Sequence, residues 1–416
     1  MSNIEWTEQT WNPTTGCDRV SPGCDNCYAL TMAKRLKGMG SAKYQTDGDP
    51  RTSGPGFGLA MHAETLADPL SWKKPRRVFV NSMSDLFHAK VTDEFIAGVF
   101  AVMALTPQHT FQILTKRHGR LRSLLADECK CGNGHVPGVH FRSAMAWAVS
   151  KANPNRVPGM PDDAEQRVYA AAWPLPNVWL GVSVEDQKHA DLRIPALIDT
   201  PAAVRFLSCE PLLGPVDLSP WMPSISPLPV HEAPRSWAEW AWPEWVPVEV
   251  REAIEGFWGA DQGRSPRDWM RDMHQQGAPA FGATLYMDDG FGRNPRQIVG
   301  RYVHAWNNIG RLVLADDPNR TFAYTSFGYK GGQRSQPLDW VIVGGESGPG
   351  ARPFEPKWAE AAATDARNAG VATFVKQLGS VWARENGASD KKGGAPEDWP
   401  AELRVREYPT ATHTTP

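Results

Sequence analysis

Six short runs set the pattern of the chain: RVFVNSM (77–83), TFQILT (110–115), NVWLGVSV (177–184), AVRFLS (203–208), DWVIVGG (339–345) and VATFVKQ (371–377). They read as continuous apolar segments, not alternating ones. That predicts strands buried on both faces, as in a parallel sheet. Between them lie stretches with helical spacing: DEFIAGVFAVMAL (93–105), HADLRIPALIDT (189–200) and PKWAEAAATDARNAG (356–370). The last carries Pro at its start and Gly just after its end, the usual start and stop signals. Alternating strands and helices predict an α/β fold, either an open sheet or a (β/α) barrel. On such frames the chemistry sits at the carboxyl ends of the strands.

Two stretches break the alternation. Residues 129–172 separate the second run from the third. Residues 215–337 open with PWMPSISPLPVHEAP, carry WAEWAWPEW at 237–245, and hold eight of the 18 Trp. The expected organisation is therefore a barrel built from 1–128, 173–214 and 338–380. A small insertion (129–172), a Trp-rich subdomain (215–337) and a C-terminal extension (381–416) are added to it. EVREAIEGFWG and RDWMRDMHQQ suggest short helices inside the larger insertion. Its aromatics suit the core of a subdomain or its seam with the barrel. A base-stacking or lid role is the functional alternative.

Polar residues gather at the strand ends. The first run ends in Ser82-Met83-Ser84-Asp85 and the second in Thr115-Lys116-Arg117-His118. The next three end in Ser183-Val184-Glu185-Asp186, Ser208-Cys209-Glu210-Pro211 and Gly344-Gly345-Glu346-Ser347-Gly348. The sixth ends in Lys376-Gln377. One such end is an ordinary polar loop. Six in register would converge on one mouth of a barrel. The Gly-rich GGESGPGARPF also permits close backbone approach to a ligand.

Composition narrows the class. Of the 416 residues 41% are hydrophobic and 22% charged, enough for a packed core and against global disorder. Gly (37) and Pro (36) point to many loops on a folded frame. Forty-four basic against 46 acidic residues exclude a globally basic nucleic-acid binder, though not a local basic groove. No apolar run approaches the roughly 18 residues of a membrane span. The start, MSNIEWTEQTW, has neither a basic n-region nor an apolar h-region, so a cytoplasmic setting is expected. There, six cysteines are expected as metal ligands, active-site thiols or core residues, not disulfides.

Three of them form a cluster. Cys17, Cys24 and Cys27 stand in TGCDRVSPGCDNCYA, a Gly/Pro loop followed by the helix-like NCYALTMAKRLKG. Thiolates this close need a cation between them. Three sulfurs can hold three irons of a 4Fe–4S cluster and leave the fourth open. A closed zinc site would need a fourth ligand, which a distant His could supply. Cys129 and Cys131, with His135 and His140, could form a separate small zinc site. Cys209 stands alone at a strand end, either a thiol in the chemistry or a small buried hydrophobe.

A three-cysteine loop before a helix, followed by strand–helix alternation, resembles the radical S-adenosyl-L-methionine (SAM) superfamily, whose fold is a partial (β/α) barrel. The strand ends resemble spore photoproduct lyase: Ser82-Met83-Ser84-Asp85 stands where that family has Cys-Thr-Ser-Asp, followed by Thr115-Lys116 and then Ser183. Outside its two insertions the chain is similar to phage-encoded three-Cys-motif proteins of unassigned activity. GVSVEDQ, SCEPLLGPVDL, DWVIVGGESGPGARPF, FVKQLG and DWPAELRVREYP carry that likeness. The resemblance implies that Cys17, Cys24 and Cys27 hold a 4Fe–4S cluster while Ser84, Lys116 and Ser183 help hold SAM. Asp85, Glu185, Glu210, Glu346 and Arg352 are candidates for SAM or substrate, with Glu210 and Glu346 foremost.

The implied activity is generation of a 5′-deoxyadenosyl radical that acts on a nucleobase or nucleotide, free or within DNA, in a bacterial host cell. An electron donor for the cluster is implied as a partner. Two departures matter. The first cysteine gap is six residues instead of three. Ser82 also replaces the lyase's hydrogen-donating Cys, and a hydroxyl gives up a hydrogen atom far less readily. Cys209, Glu210 and Ser82 are the candidate catalytic residues.

Two other classes fit parts of the pattern. In a zinc nucleobase deaminase, His62-Ala63-Glu64 would serve with Pro22-Gly23-Cys24 and Cys27, but the order of the two motifs is reversed here. A metal-stapled module without catalysis would act through a protein partner. The basic clusters at 73–77 and 116–122 are solvated faces or, with a nucleic-acid substrate, phosphate contacts whose binding falls with salt.

Overall fold

The computed structural model describes residues 4–127, 138–152, 157–222 and 338–409, together with the backbone of four short strands between 285 and 314. The chain divides into two compact units. One comprises Met1–Trp221, Leu338–Arg367 and Val371–Pro416; the other comprises Met222–Pro337 with Asn368–Gly370.

The first unit is built on seven strands: β1 (Gln9–Trp11), β2 (Arg77–Val80), β3 (Thr110–Thr115), β4 (Val178–Ser183), β5 (Val204–Cys209), β6 (Trp340–Gly344) and β7 (Ala372–Gln377). Each pairs in parallel with the next in chain order. The sheet curls into a half-barrel. The expected α/β frame and partial barrel are thus present, with one strand more than the apolar runs predict. The added strand, β1, is only QTW, too short for a periodicity signal.

Helices fill the connections: α1 (Tyr28–Gly38), α2 (Asp93–Leu105), α3 (His118–Leu125), α4 (Val139–Ser150), α5 (Ala164–Ala170), α6 (Gln187–Ile198), α7 (Pro356–Asn368) and α8 (Ser380–Asn386). Thr92 caps α2, its hydroxyl accepting from Phe95 N at 3.3 Å. The described part of the 129–172 interval is helical, α4 and α5 packing on α2. Phe141 of α4 meets Phe100 of α2 edge-on, with ring centroids 5.1 Å apart. Both helices belong to the same unit as the sheet.

Side chains alternate across each strand, so every second residue faces the same side. On β4 one set is Trp179, Gly181, Ser183; on β5 it is Val204, Phe206, Ser208. Both sets run from apolar at the amino end to hydroxyl at the carboxyl end. Trp6, Phe79, Trp179, Phe206, Trp340, Ile342 and Phe374 form one buried cluster. Gly181 makes this packing possible, since a Cβ there would stand 2.4 Å from the Phe206 ring.

A C-terminal segment straps this cluster. The Tyr408 ring packs 5.4 Å from Trp340 and 5.5 Å from Phe374, with the Arg77 guanidinium 4.1 Å over its face. Trp340 Nε1 donates to Glu407 O at 2.9 Å, and Tyr408 OH to Glu5 O at 3.3 Å. The strap therefore reaches from β7 to the residues that precede β1.

In the second unit Leu285–Met287 pairs antiparallel with Arg296–Ile298, and Arg301–His304 with Arg311–Leu314. The Trp-rich segment 237–245 and the two helical patches expected near it lie outside the described residues, as do Cys129, Cys131 and His135. His140 is described, and it pairs with Asp127. No described helix is long and apolar enough to cross a membrane.

Candidate functional site

The carboxyl ends of the strands surround a cavity of about 270 Å³. Trp6, Phe79 and Leu114 give it apolar walls; Asn81, Ser84, Lys116, Ser183, Ser208, Glu210, Lys376 and Gln377 supply polar ones. Cys17, Cys24 and Cys27 line it from the loop after β1. Of the candidates singled out in the sequence, Ser82, Ser84, Asp85, Lys116, Ser183, Glu210 and Glu346 line it together with the cysteines, whereas Glu185, Cys209 and Arg352 do not.

Local chemistry fixes each half of the cysteine loop differently. Before Cys17, Gly16 adopts φ +84°, a left-handed conformation that favours glycine. A Cβ there would lie 2.1 Å from Gly58 O. Gly16 N donates to Met83 O at 3.0 Å, tying the loop to the end of β2. After Cys17, Asp18 accepts from Ser53 Oγ at 2.7 Å and Thr52 Oγ1 at 3.0 Å, and pairs with His88 Nε2 at 2.9 Å. The Ser53 bond foremost, then His88 and Thr52, outweigh burial and hold this carboxyl down at about 2. Arg117 Nη2 donates to Asp18 O at 3.3 Å and approaches Cys17 Sγ at 3.9 Å.

The second half is a 3₁₀ turn, Pro22–Cys24, leading into α1. Two carboxylates grip it. Glu185, fully buried beyond the end of β4, accepts from Ser21 Oγ at 2.7 Å. Its other partners are Lys116 Nζ at 2.7 Å and Arg193 Nη1 at 2.8 Å. Burial pushes the Glu185 carboxyl up, but the two cations outweigh it and hold it down at about 2. Gly23 sits against it; a Cβ there would stand 2.3 Å from Glu185 Cγ. Glu346, beyond β6, accepts from Asn26 Nδ2 at 3.0 Å and from Arg352 N and Nε at 2.8 and 3.0 Å.

The remaining candidates fall into place around this loop. Asp85 accepts from Thr115 Oγ1 at 2.7 Å, Phe87 N at 3.0 Å and Lys116 N at 3.0 Å, so it ties the end of β2 to that of β3. Ser84 Oγ lies 2.7 Å from Thr14 Oγ1, and Ser82 Oγ donates to Asn12 Oδ1 at 3.2 Å. Glu210 pairs with Lys376 Nζ at 3.2 Å across the cavity wall. Cys209 is fully buried and is not part of that wall; burial foremost raises its thiol pKa. It occupies the position of a small core hydrophobe. His62 is bound to Thr15 Oγ1 at 2.8 Å and to Glu64 at 3.3 Å, and neither it nor Glu64 lines the cavity.

Burial pushes the Cys17 thiol up to about 12, with Asp85 adding to the effect and Arg117 opposing it. Burial likewise raises Cys27, and Cys24 lies within electrostatic reach of both. Such thiols stay protonated until a cation arrives. Among the described residues no three His, Cys, Asp or Glu side chains are grouped as ligands of a metal ion.

Several contributors escape sequence reasoning. Asp18, His88, Asn26 and Ser21 sit in loops with no periodic signal. Arg193 could have been found: Glu185, His189 and Arg193 are spaced by four, and His189 and Arg193 face Glu185 from α6. Of the basic clusters, Lys116 reaches the cavity, while Arg120 and Arg122 are paired to Asp93 and Asp199. The 73–77 cluster lies at the amino end of β2, opposite the cavity, where Arg77 pairs with Glu8.

No curated protein and no solved structure matches the chain. Residues 1–399 match a family described as Protein of unknown function (DUF5131), which covers the cysteine loop, all seven strands and every residue of the cavity. By its sequence and over nearly its whole length, the chain belongs to the DUF5131 family.

Proposed function

We propose that the protein is a radical SAM-type iron–sulfur enzyme acting on a nucleobase or nucleotide, with DNA as one form of that substrate. One observation carries the reading: three cysteines of a single loop meet the polar strand ends of a parallel half-barrel at one cavity. The donor set suits a 4Fe–4S cluster, being three soft sulfurs from one loop. Ligands to separate irons need not meet at one point. The raised Cys17 and Cys27 thiols describe the loop before loading, and Arg117 beside Cys17 and Lys116 near Cys27 are the cations that ease their ionisation.

The chemistry supplied by a bound cluster and SAM is hydrogen-atom abstraction from a C–H bond, driven by one external electron. The chain's own residues bind and orient. Cys17, Cys24 and Cys27 would hold the cluster. Ser84, Lys116 and Ser183 would hold SAM, with Lys116 Nζ held 2.7 Å from Glu185 Oε1. Trp6, Phe79 and Leu114 give the cavity apolar walls, and the flat faces of Trp6 and Phe79 suit a heterocyclic ring. Lys376, Glu210 and Gln377 face the same space with donors and acceptors for its edge.

Anaerobic reconstitution tests this. The expected result is a brown protein with about four irons and four sulfides per chain. It should release 5′-deoxyadenosine from SAM under reductant and lose its iron in a Cys17→Ala/Cys24→Ala/Cys27→Ala variant. A colourless protein holding one tight zinc overturns the reading.

A further inference from the structure

The two halves of the cysteine loop are secured by unrelated parts of the fold. Cys17 is bracketed by Gly16 and Asp18, whose partners are Met83, Ser53, Thr52, His88 and Arg117. The segment from Pro22 to Cys27, gripped at its start by Glu185 through Ser21 and Gly23, is secured on its other side from the β6–α7 connection. There Arg352 grips both oxygens of Glu346, donates from Nη2 to Pro22 O at 2.9 Å, and reaches Asp25 Oδ2 at 3.5 Å. Asn26 Nδ2 completes the lacing, donating to Glu346 Oε2 at 3.0 Å and to Gly350 O at 2.9 Å.

We propose that Arg352, with Glu346 and Asn26, is a latch that positions Cys24 and Cys27 independently of Cys17. The sequence candidates Glu346 and Arg352 thus act on the loop, as positioning residues, and through it on whatever the thiols hold. The planar guanidinium is what the geometry requires. It offers several donors in one fork and serves a carboxylate and a backbone carbonyl at once. The loop that carries it, Gly345 to Arg352, has Gly348 and Gly350 at φ +98° and +78°, conformations that leave Arg352 directed back at Pro22. The role rests on the proposed metal-holding function of the loop, but the latch itself is testable on the metal-free chain.

The experiment is site-resolved alkylation of the full-length, metal-free protein by iodoacetamide, read for each cysteine by mass spectrometry. In Arg352→Ala, alkylation of Cys24 and Cys27 is expected to rise on the order of tenfold, with Cys17 unchanged. The sign is informative. Removing a cation alone disfavours thiolate and slows alkylation, so acceleration reports release. Arg352→Lys keeps the charge but not the fork and is expected to accelerate the same two thiols. Asn26→Ala, at an exposed position, does so without disturbing the ion pair and covers the case in which the Arg352 variants fail to fold. Rates that stay level, slow down, or rise equally at Cys17 overturn the latch. A wild-type chain that takes up no iron would instead overturn the proposed function while leaving this result standing.

Discussion

Glu185 shows how burial and charge divide at the level of single residues. Its carboxylate is fully buried between Lys116, Arg193 and Ser21, and the cations hold it at about 2. A carboxyl depressed in the folded state stabilises that state above its ordinary pKa of 4.5. The stabilisation is lost as pH falls from there towards 2. The shift corresponds to about 3 kcal/mol. Glu185→Gln should therefore flatten the loss of stability between pH 5 and pH 3. At pH 7 it should cost about 3 kcal/mol, because the buried Arg193 and the half-buried Lys116 lose their counter-charge. Urea midpoints at pH 7, 5 and 3 measure both; an unchanged acid slope would refute the assignment. The sequence marks Glu185 as a strand-end acid, and its place beside the cavity follows from strand polarity. Arg193 is legible by its helical spacing, but Ser21 is not, because it lies 164 residues away and only the fold brings it near.

At the level of elements, legibility follows burial. Residues 93–105 read as a helix and form α2 with those bounds, since seven of its residues are buried and its cap is a Thr. TFQILT likewise is β3 to the residue. α4 is less apparent, although VHFRSAMAWAVS buries Phe141, Met145, Ala146 and Val149 at helical spacing. Nearby Cys and His residues invite a metal reading that competes with it. Among the strands, β4 is exposed to a small change. A methyl at Gly181 meets the Phe206 ring, and such overpacking costs about 1–3 kcal/mol. Gly181→Ala should lower the melting temperature, and Phe206→Leu in the same chain should restore part of the loss. A calorimetric double-mutant cycle reads this coupling, and additive losses would show that the two side chains do not compete for space.

For the first unit as a whole, the strap matters most. Tyr408 joins Trp340, Phe374 and Arg77, so one ring links β6, β7 and β2. Tyr408→Ala should destabilise the unit by about 2–3 kcal/mol through lost ring and cation–π contacts. Tyr408→Phe should cost far less, since its hydroxyl makes a single long bond to Glu5 O. Thermal melts compare the two, and equal losses would place the contribution in the hydroxyl. No motif announces the strap in the sequence. DWPAELRVREYP carries a family likeness, but its spacing does not foretell a strap, and only the aromatic faces of the curled sheet give Tyr408 its partners.

The latch also has a consequence in time. Asn26 and Glu346 are 320 residues apart. A ribosome adding about 5–20 residues per second takes roughly 15–65 seconds to travel from one to the other. For that interval the newly made cysteine loop lacks the latch, and even its first anchor waits for Met83, His88 and Arg117. Its thiols are then open to any metal ion or oxidant in the surroundings. Under the proposed function, loading of these thiols is a race against the synthesis of the chain's own sixth strand.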